Sequence, residues 1–198
     1  TDEDDNGRLD STDFTAKFLG VNNFTVDDFG NNTDFVTAGT DGNDIIVGTD
    51  GDDKIFGLGG NDQLFGQAGE DLLDGGTGDD VLLSGTGLDN LFGGEGNDTL
   101  TLEDFGSAFG GAGNDLVIGS SAEFAFQTTL EGNEGNDTLQ SGSAGAFMIG
   151  GTGDDRLVGS AASDFMVGSL QSEPGLDADR FQFGALWGTD TIADFEDG

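Results

Sequence analysis

The sequence predicts an all-β fold in which short strands stack into a solenoid. This prediction rests on one repeated unit. Residues 39–101 form seven consecutive nine-residue units, the first of which reads GTDGNDIIV. The first six places of each unit are rich in Gly, Asp and Asn, which tolerate left-handed backbone angles and form turns. The last three places are typical of a very short strand with one inward side chain. Because such a strand is not stable alone, each unit must stack on similar neighbours.

Two places of the unit keep one residue type over all seven copies. Place 6 is aspartate, at Asp44, Asp53, Asp62, Asp71, Asp80, Asp89 and Asp98. Place 8 is aliphatic, at Ile46, Ile55, Leu64, Leu73, Leu82, Leu91 and Leu100. Because side chains alternate along a strand, we expect place 8 to point into the core and places 7 and 9 to point outward.

A strand on each side of a flattened coil takes two units per turn, so alternate units stack about 4.8 Å apart. The first edge of the coil then carries the ladder of Asp44, Asp62, Asp80 and Asp98. The second edge carries Asp53, Asp71 and Asp89. Carboxylates at this spacing repel by about 3 kcal/mol at an effective dielectric constant near 20, so cations are needed between them. A site of carboxylates and backbone carbonyls, without His or Cys, suits calcium.

These units resemble the RTX (repeats-in-toxin, haemolysin-type) calcium-binding nonapeptide, G-G-x-G-x-D-x-U-x. The resemblance covers about residues 39–182 and implies a right-handed parallel β-roll. It also implies calcium ions between stacked turns, held by place-6 aspartates and by carbonyls of the glycine-rich loops. Proteins of this family are typically exported by type I secretion, which implies a secreted or cell-surface location.

Beyond residue 101, only alternate units keep the glycine-aspartate loop. The complete units are 110–118, 132–140 and 150–158, and the segments between them are 102–109, 119–131 and 141–149. The first edge therefore gains Asp115, Asp137 and Asp155, whereas the second edge has no ladder aspartate after Asp89 until the degenerate unit that contains Asp164. A last place-6 position follows at Asp179. Our hypothesis is that calcium lines nearly the whole first edge but only the first turns of the second.

Two apolar features leave alternatives open. The incomplete segments carry Phe105, Phe109, Phe124, Phe126 and Phe147, which either replace metal with hydrophobic packing or form a docking patch. The outward places beside the first-edge loops include Ile45, Val47, Val81, Leu83, Leu116 and Ile118. This outer face is either an ordinary property of the repeat or a contact with a protein partner, a second copy or the chain's own cap.

The N-terminus contains a second calcium pattern. Residues 2–13 match an EF-hand loop, with the final acidic place filled by Asp as in dockerin-type loops. The predicted ligands are Asp2, Asp4, Asn6, Arg8 through its carbonyl, and Asp13; the alternative is an acidic N-terminal turn that binds no metal. We expect residues 1–38 to form this loop and a cap on the first turn. Residues 39–182 would form the roll, and residues 183–198 would close it with Trp187, Ile192 and Phe195. The chain reads as a fragment of a longer protein.

Composition narrows the functional classes. The net charge is −35, which disfavours nucleic acid and anionic membrane surfaces as partners. No apolar run is long enough to span a membrane. Without His, neither an HExxH zinc site nor a Ser-His-Asp triad can form. The sequence thus favours a calcium-binding structural or interaction module, not an enzyme, that folds on calcium binding after export. The alternative is an accessory module of a secreted protease, lipase or epimerase with its catalytic domain elsewhere.

Overall fold

The computed structural model describes residues 35–120, 128–169, 177–184 and 189–193, and within them strands form two parallel sheets. The nine strands of the first sheet are, in spatial order, β1 (Phe35–Ala38), β3 (Asp53–Gly59), β5 (Leu72–Thr77), β7 (Leu88–Glu95), β9 (Phe105–Ala112), β11 (Thr128–Glu134), β13 (Phe147–Thr152), β15 (Phe165–Val167) and β17 (Thr191–Ile192). The eight strands of the second sheet are β2 (Ile45–Val47), β4 (Gln63–Ala68), β6 (Val81–Thr86), β8 (Thr99–Thr101), β10 (Leu116–Ile118), β12 (Thr138–Gln140), β14 (Arg156–Val158) and β16 (Arg180–Gln182).

The chain alternates between the two sheets, so each strand pairs with the strand two positions later. Ile55 in β3 lies beside Leu73 in β5, and Leu64 in β4 lies beside Leu82 in β6. These offsets of 18 residues confirm two nine-residue units per turn. The described chain is a parallel β-roll, as predicted.

The core is the column of place-8 side chains that the two sheets enclose. All seven predicted residues are buried, six of them completely. The column continues beyond the regular repeats with Ala108, Val117, Leu130, Leu139, Met148, Leu157 and Met166. Since each turn adds one such residue from each sheet, the core is one side chain deep on either side.

Many strands are longer than the three residues predicted. β3 has seven residues and β7 has eight, whereas β2 and β10 have three. The pairing skips place 1 and resumes at place 2, as where Leu58 lies beside Gly76. Because glycines at these places let adjacent backbones approach closely, the loop residues extend the ladder instead of ending it.

Hydrophobic residues do join the core on the second edge where its aspartates are missing, but among the described residues they are not Phe105, Phe109 or Phe147. Leu102 and Ala146 belong to the core cluster. Phe109 instead stacks on Phe92 with ring centroids 5.1 Å apart, and Phe147 stacks on Phe165 at 5.0 Å. Phe124 and Phe126 lie outside the described residues.

The outer face of the second sheet is partly apolar, as the sequence predicted. Ile45, Val81 and Leu116 all expose a substantial part of their side chains. What this face contacts in the native protein stays an open prediction.

Candidate metal sites

The first-edge aspartates form one continuous hydrogen-bonded ladder. The backbone N–H of each aspartate donates to Oδ1 of the aspartate one turn later, at 2.7–2.9 Å. The ladder runs through Asp44, Asp62, Asp80, Asp98, Asp115, Asp137, Asp155 and Asp179. The backbone carbonyl of a ladder aspartate also accepts a hydrogen bond from the next turn, as where the Val81 N–H donates to the Asp62 carbonyl. Adjacent carboxylates are therefore held in register by the main chain.

The second-edge ladder is interrupted. It links Asp53 to Asp71 and Asp71 to Asp89 by the same bond. Gly106 and Thr128 take the next two positions in the register. The bond then resumes from Ala146 to Asp164, and from Asp164 to Asp190 at 3.1 Å.

Asp190 is a ladder residue that the sequence analysis missed. The sequence signal is the triplet of Asp190, Thr191 and Ile192, which repeats the order of places 6, 7 and 8. It was hidden because the residues before it lack the regular spacing of glycines.

Eight ladder aspartates each have a second carboxylate oxygen, Oδ2, that is buried and accepts no hydrogen bond from the described residues. These side chains are at most 3% exposed. They are Asp62, Asp71, Asp80, Asp89, Asp98, Asp115, Asp137 and Asp155. Leaving one buried charged oxygen without a partner is costly in free energy, so a series of eight such oxygens is the pattern expected of a cation-binding site.

The loop glycines show where a second oxygen ligand lies. A Cβ placed on Gly75, at place 1 of its unit, would meet both Oδ2 of Asp80 and the carbonyl oxygen of Gly93 in the next turn. The same pairing recurs at Gly57, with Asp62 and the Gly75 carbonyl. Carboxylate and carbonyl oxygens without nitrogen or sulfur are a donor set that fits calcium.

Backbone carbonyls are needed to complete such a site. Among the described residues, no three Asp, Glu, His or Cys side chains converge into a cluster that could hold a metal. A bound ion would therefore be held by ladder carboxylates together with carbonyls of the glycine-rich loops.

Burial raises the pKa of the ladder carboxyls. The pKa reaches about 7 at Asp71, Asp98 and Asp155, and about 6 at Asp80 and Asp137. Desolvation is the largest cause; the hydrogen bond from the backbone N–H partly opposes it, and neighbouring carboxylates add to it. Without a cation, these carboxyls thus keep a proton to a higher pH than an ordinary aspartate does.

A second polar column runs along the outside of the first edge, and the sequence analysis missed it. Place 5 is Asn or Asp in these units: Asn43, Asn61, Asp79, Asn97, Asn114, Asn136 and Asp154. Each side-chain Oδ1 accepts the N–H of the residue one turn later, as from Asn61 to Asn43 at 2.9 Å and from Ala178 to Asp154 at 2.9 Å. The sequence contains the signal for this column, since place 5 is always Asn or Asp in the first-edge units but varies among Asp52, Glu70 and Leu88 in the second-edge units.

Apart from Asp179, which ends the first-edge ladder, the remaining predicted ligands fall into two groups. Asp44, Asp53 and Asp164 lie in the ladders, but their Oδ2 atoms accept hydrogen bonds from their own loops. Asp2, Asp4, Asn6, Arg8 and Asp13 lie outside the described residues, as do Trp187 and Phe195. The N-terminal loop therefore stays a prediction.

Replacing Gly75 with alanine is expected to lower both calcium affinity and the free energy of unfolding, because the new Cβ would meet two oxygens. We expect a destabilisation of about 1–3 kcal/mol, typical of overpacking, in urea unfolding with saturating calcium. The control is Gly51→Ala, whose Cβ would meet nothing closer than the Thr49 hydroxyl at 3.8 Å. Equal effects of the two variants would contradict the crowding seen at place 1.

One protein family matches the described roll. The model of the RTX calcium-binding nonapeptide repeat (4 copies) matches residues 38–73, 74–104, 107–122, 128–144 and 141–172. No curated protein and no solved structure matches the chain. Within the described ranges, no helix has the length and apolar character needed to cross a membrane.

Proposed function

Because the chain belongs to the RTX calcium-binding nonapeptide repeat family, we propose that it is a structural and interaction module of a secreted or cell-surface bacterial protein that folds when it binds calcium. The repeats bind calcium, and the roll is a structural domain. Export, the timing of folding and the interaction role are the proposed parts.

The observation that carries this proposal is the set of eight buried, unpartnered carboxylate oxygens. The rest of the roll is densely hydrogen-bonded, and both sheets pair in register over their whole length. The unsatisfied groups are therefore concentrated at the loop edges, where carbonyl oxygens also gather. This is the pattern expected when metal binding is coupled to folding.

Bound calcium would supply the positive charge that the folded chain lacks. The eight place-6 aspartates with unpartnered oxygens would hold it with the carbonyls of place-1 glycines such as Gly75 and Gly93. With a net charge of −35, the metal-free chain also resists compaction by self-repulsion. The chain would thus stay expanded at the low calcium concentration of the cytosol and fold outside the cell.

The same observation supports unequal metal loading of the two edges. Six of the eight unpartnered oxygens belong to first-edge aspartates, and only those of Asp71 and Asp89 belong to the second edge. On the second edge, Gly106, Thr128 and Ala146 stand where aspartates would be. We propose that calcium follows the first edge along most of the roll.

Equilibrium dialysis over a range of calcium concentrations tests the proposed function. We expect several ions bound per chain, with half-saturation at roughly 10⁻⁴–10⁻³ M, as in other extracellular calcium modules. Magnesium, which prefers a rigid octahedral site and retains its waters, should not substitute. Saturation at submicromolar calcium, or no binding at millimolar calcium, would contradict folding triggered by export.

A further inference from the structure

The loops that end at eleven of the ladder aspartates, all except Asp179 and Asp190, fall into two classes according to whether Oδ2 accepts a hydrogen bond. In the loop that ends at Asp53, Oδ2 accepts the Thr49 N–H at 2.6 Å and the Thr49 hydroxyl at 3.0 Å. The loop that ends at Asp44 uses Thr40 in the same way, at 2.6 and 2.8 Å. We call these self-capped loops. In the eight loops with unpartnered oxygens, which we call open loops, no such bond forms.

The backbone angle at place 2 separates the two classes without exception among the open and self-capped loops. All eight open loops have a positive φ at place 2, between 78° and 120°. These place-2 residues are Leu58, Gln67, Gly76, Gly85, Gly94, Gly111, Asn133 and Gly151. Thr40 and Thr49 do not have a positive φ, nor does Ser160, whose N–H donates to Asp164 Oδ2 at 2.7 Å.

Side-chain chemistry explains why the sequence selects the class. A β-branched residue strongly disfavours the left-handed region, so Thr40 and Thr49 keep an ordinary angle. Their N–H groups and hydroxyls then point at the carboxylate. Glycine enters the left-handed region freely. Leu58 and Gln67 adopt it at a cost, and strain of this kind is typically retained where it serves a function.

We propose that the residue at place 2 decides whether a loop takes calcium, so that loops closed by Thr40, Thr49 and Ser160 fold without an ion. This rule rests on the proposed calcium function and adds to it. The self-capped loops that contain Thr40 and Thr49 begin the two described ladders, and the loop that contains Ser160 lies near the C-terminal end of the second. The calcium-bearing stretch would therefore be bounded by loops that the protein satisfies itself.

Exchanging the place-2 residues of two neighbouring second-edge loops tests the rule. Gln67→Thr is expected to close an open loop and lower the number of calcium ions bound at saturation. Thr49→Gln is expected to open a self-capped loop and raise that number. The double variant should return to the parent value. Ion number is measured by equilibrium dialysis with elemental analysis, and folding by far-UV circular dichroism in the same samples.

A second pair keeps the test decisive if a place-2 variant does not fold. Asp71→Asn should lower the ion number, and Asp53→Asn should leave it unchanged, because the Asp53 carboxylate already has its hydrogen bonds. Equal losses from the two variants would overturn the place-2 rule while leaving calcium binding intact. A parent protein that binds no calcium would overturn the proposed function itself.

Discussion

Removing calcium with a chelator at neutral pH is expected to convert the roll into an expanded, mostly unstructured chain. Eight buried carboxylate oxygens would lose their proposed ligand at once. The thin core cannot compensate, because it gains only one place-8 side chain per strand. By chain length alone, the radius of gyration should approach roughly 48 Å, whereas a compact chain of this length has roughly 16 Å and an elongated roll somewhat more.

Far-UV circular dichroism and small-angle scattering measure this change during a calcium titration. The β signal should return cooperatively at millimolar calcium, since each turn is stacked on its neighbours. Magnesium at equal ionic strength is the control, because it screens charge without matching the site. A β-roll that persists unchanged in excess chelator would contradict the proposal that calcium binding triggers folding.

Acidification is expected to restore part of the fold without calcium. The folded-state pKa of Asp71, Asp98 and Asp155 is about 7, above the ordinary value of 3.8. A raised folded-state pKa contributes stability that is complete below the unfolded value and is lost as pH rises through the folded value. The metal-free protein should therefore gain stability as pH falls from above 7 toward 3.8. Calcium affinity should fall over the same range, because protons compete for the ligands.

Two adjacent aspartates provide the matched controls for this pH effect. The pKa of Asp80 is raised to about 6 by burial, whereas hydrogen bonds from Asn97 lower the pKa of Asp79. In chelator above pH 7, Asp80→Asn should stabilise the metal-free chain, and Asp79→Asn should not. Far-UV circular dichroism in chelator, followed as the pH is lowered from above 7, measures both: the β signal of Asp80→Asn should return at a higher pH than that of the parent, and that of Asp79→Asn should not. If the two variants behave alike, repulsion among all the acidic side chains, rather than burial of the ladder carboxylates, governs the dependence of stability on pH.

The repeat period allowed the architecture to be predicted, because register follows from spacing alone. The columns that contain Leu82 and Asp80 are sufficient to predict the inward face, the two units per turn and the two ladders. The place-6 assignment of Asp179 was likewise confirmed as a position in the ladder. The nine-residue pattern is enough to predict the whole fold here because each turn of the roll repeats the same local geometry.

The details that the repeat period did not reveal depend on individual backbone angles and side-chain contacts, which can differ between units of the same spacing. Spacing placed Asp53 and Asp71 in equivalent positions, yet the backbone angle at place 2 leaves one carboxylate satisfied and the other not. Spacing also did not show which side chain of an incomplete segment joins the core, since Phe109 and Phe147 stack on neighbouring phenylalanines instead. Leu102 took that role instead.

The ladder separations along the first edge show how the roll absorbs changes in chain length. Asp98 and Asp115 are 17 residues apart and Asp115 and Asp137 are 22 apart, yet both N–H···Oδ1 bonds measure 2.8 Å, as in the 18-residue turns. The deletion and the insertion fall on the second edge, which has no ladder aspartates in this region. The first-edge ladder thus keeps the spacing between turns constant. We therefore expect the second edge to accept an inserted foreign sequence, such as a grafted epitope, without a change in that spacing.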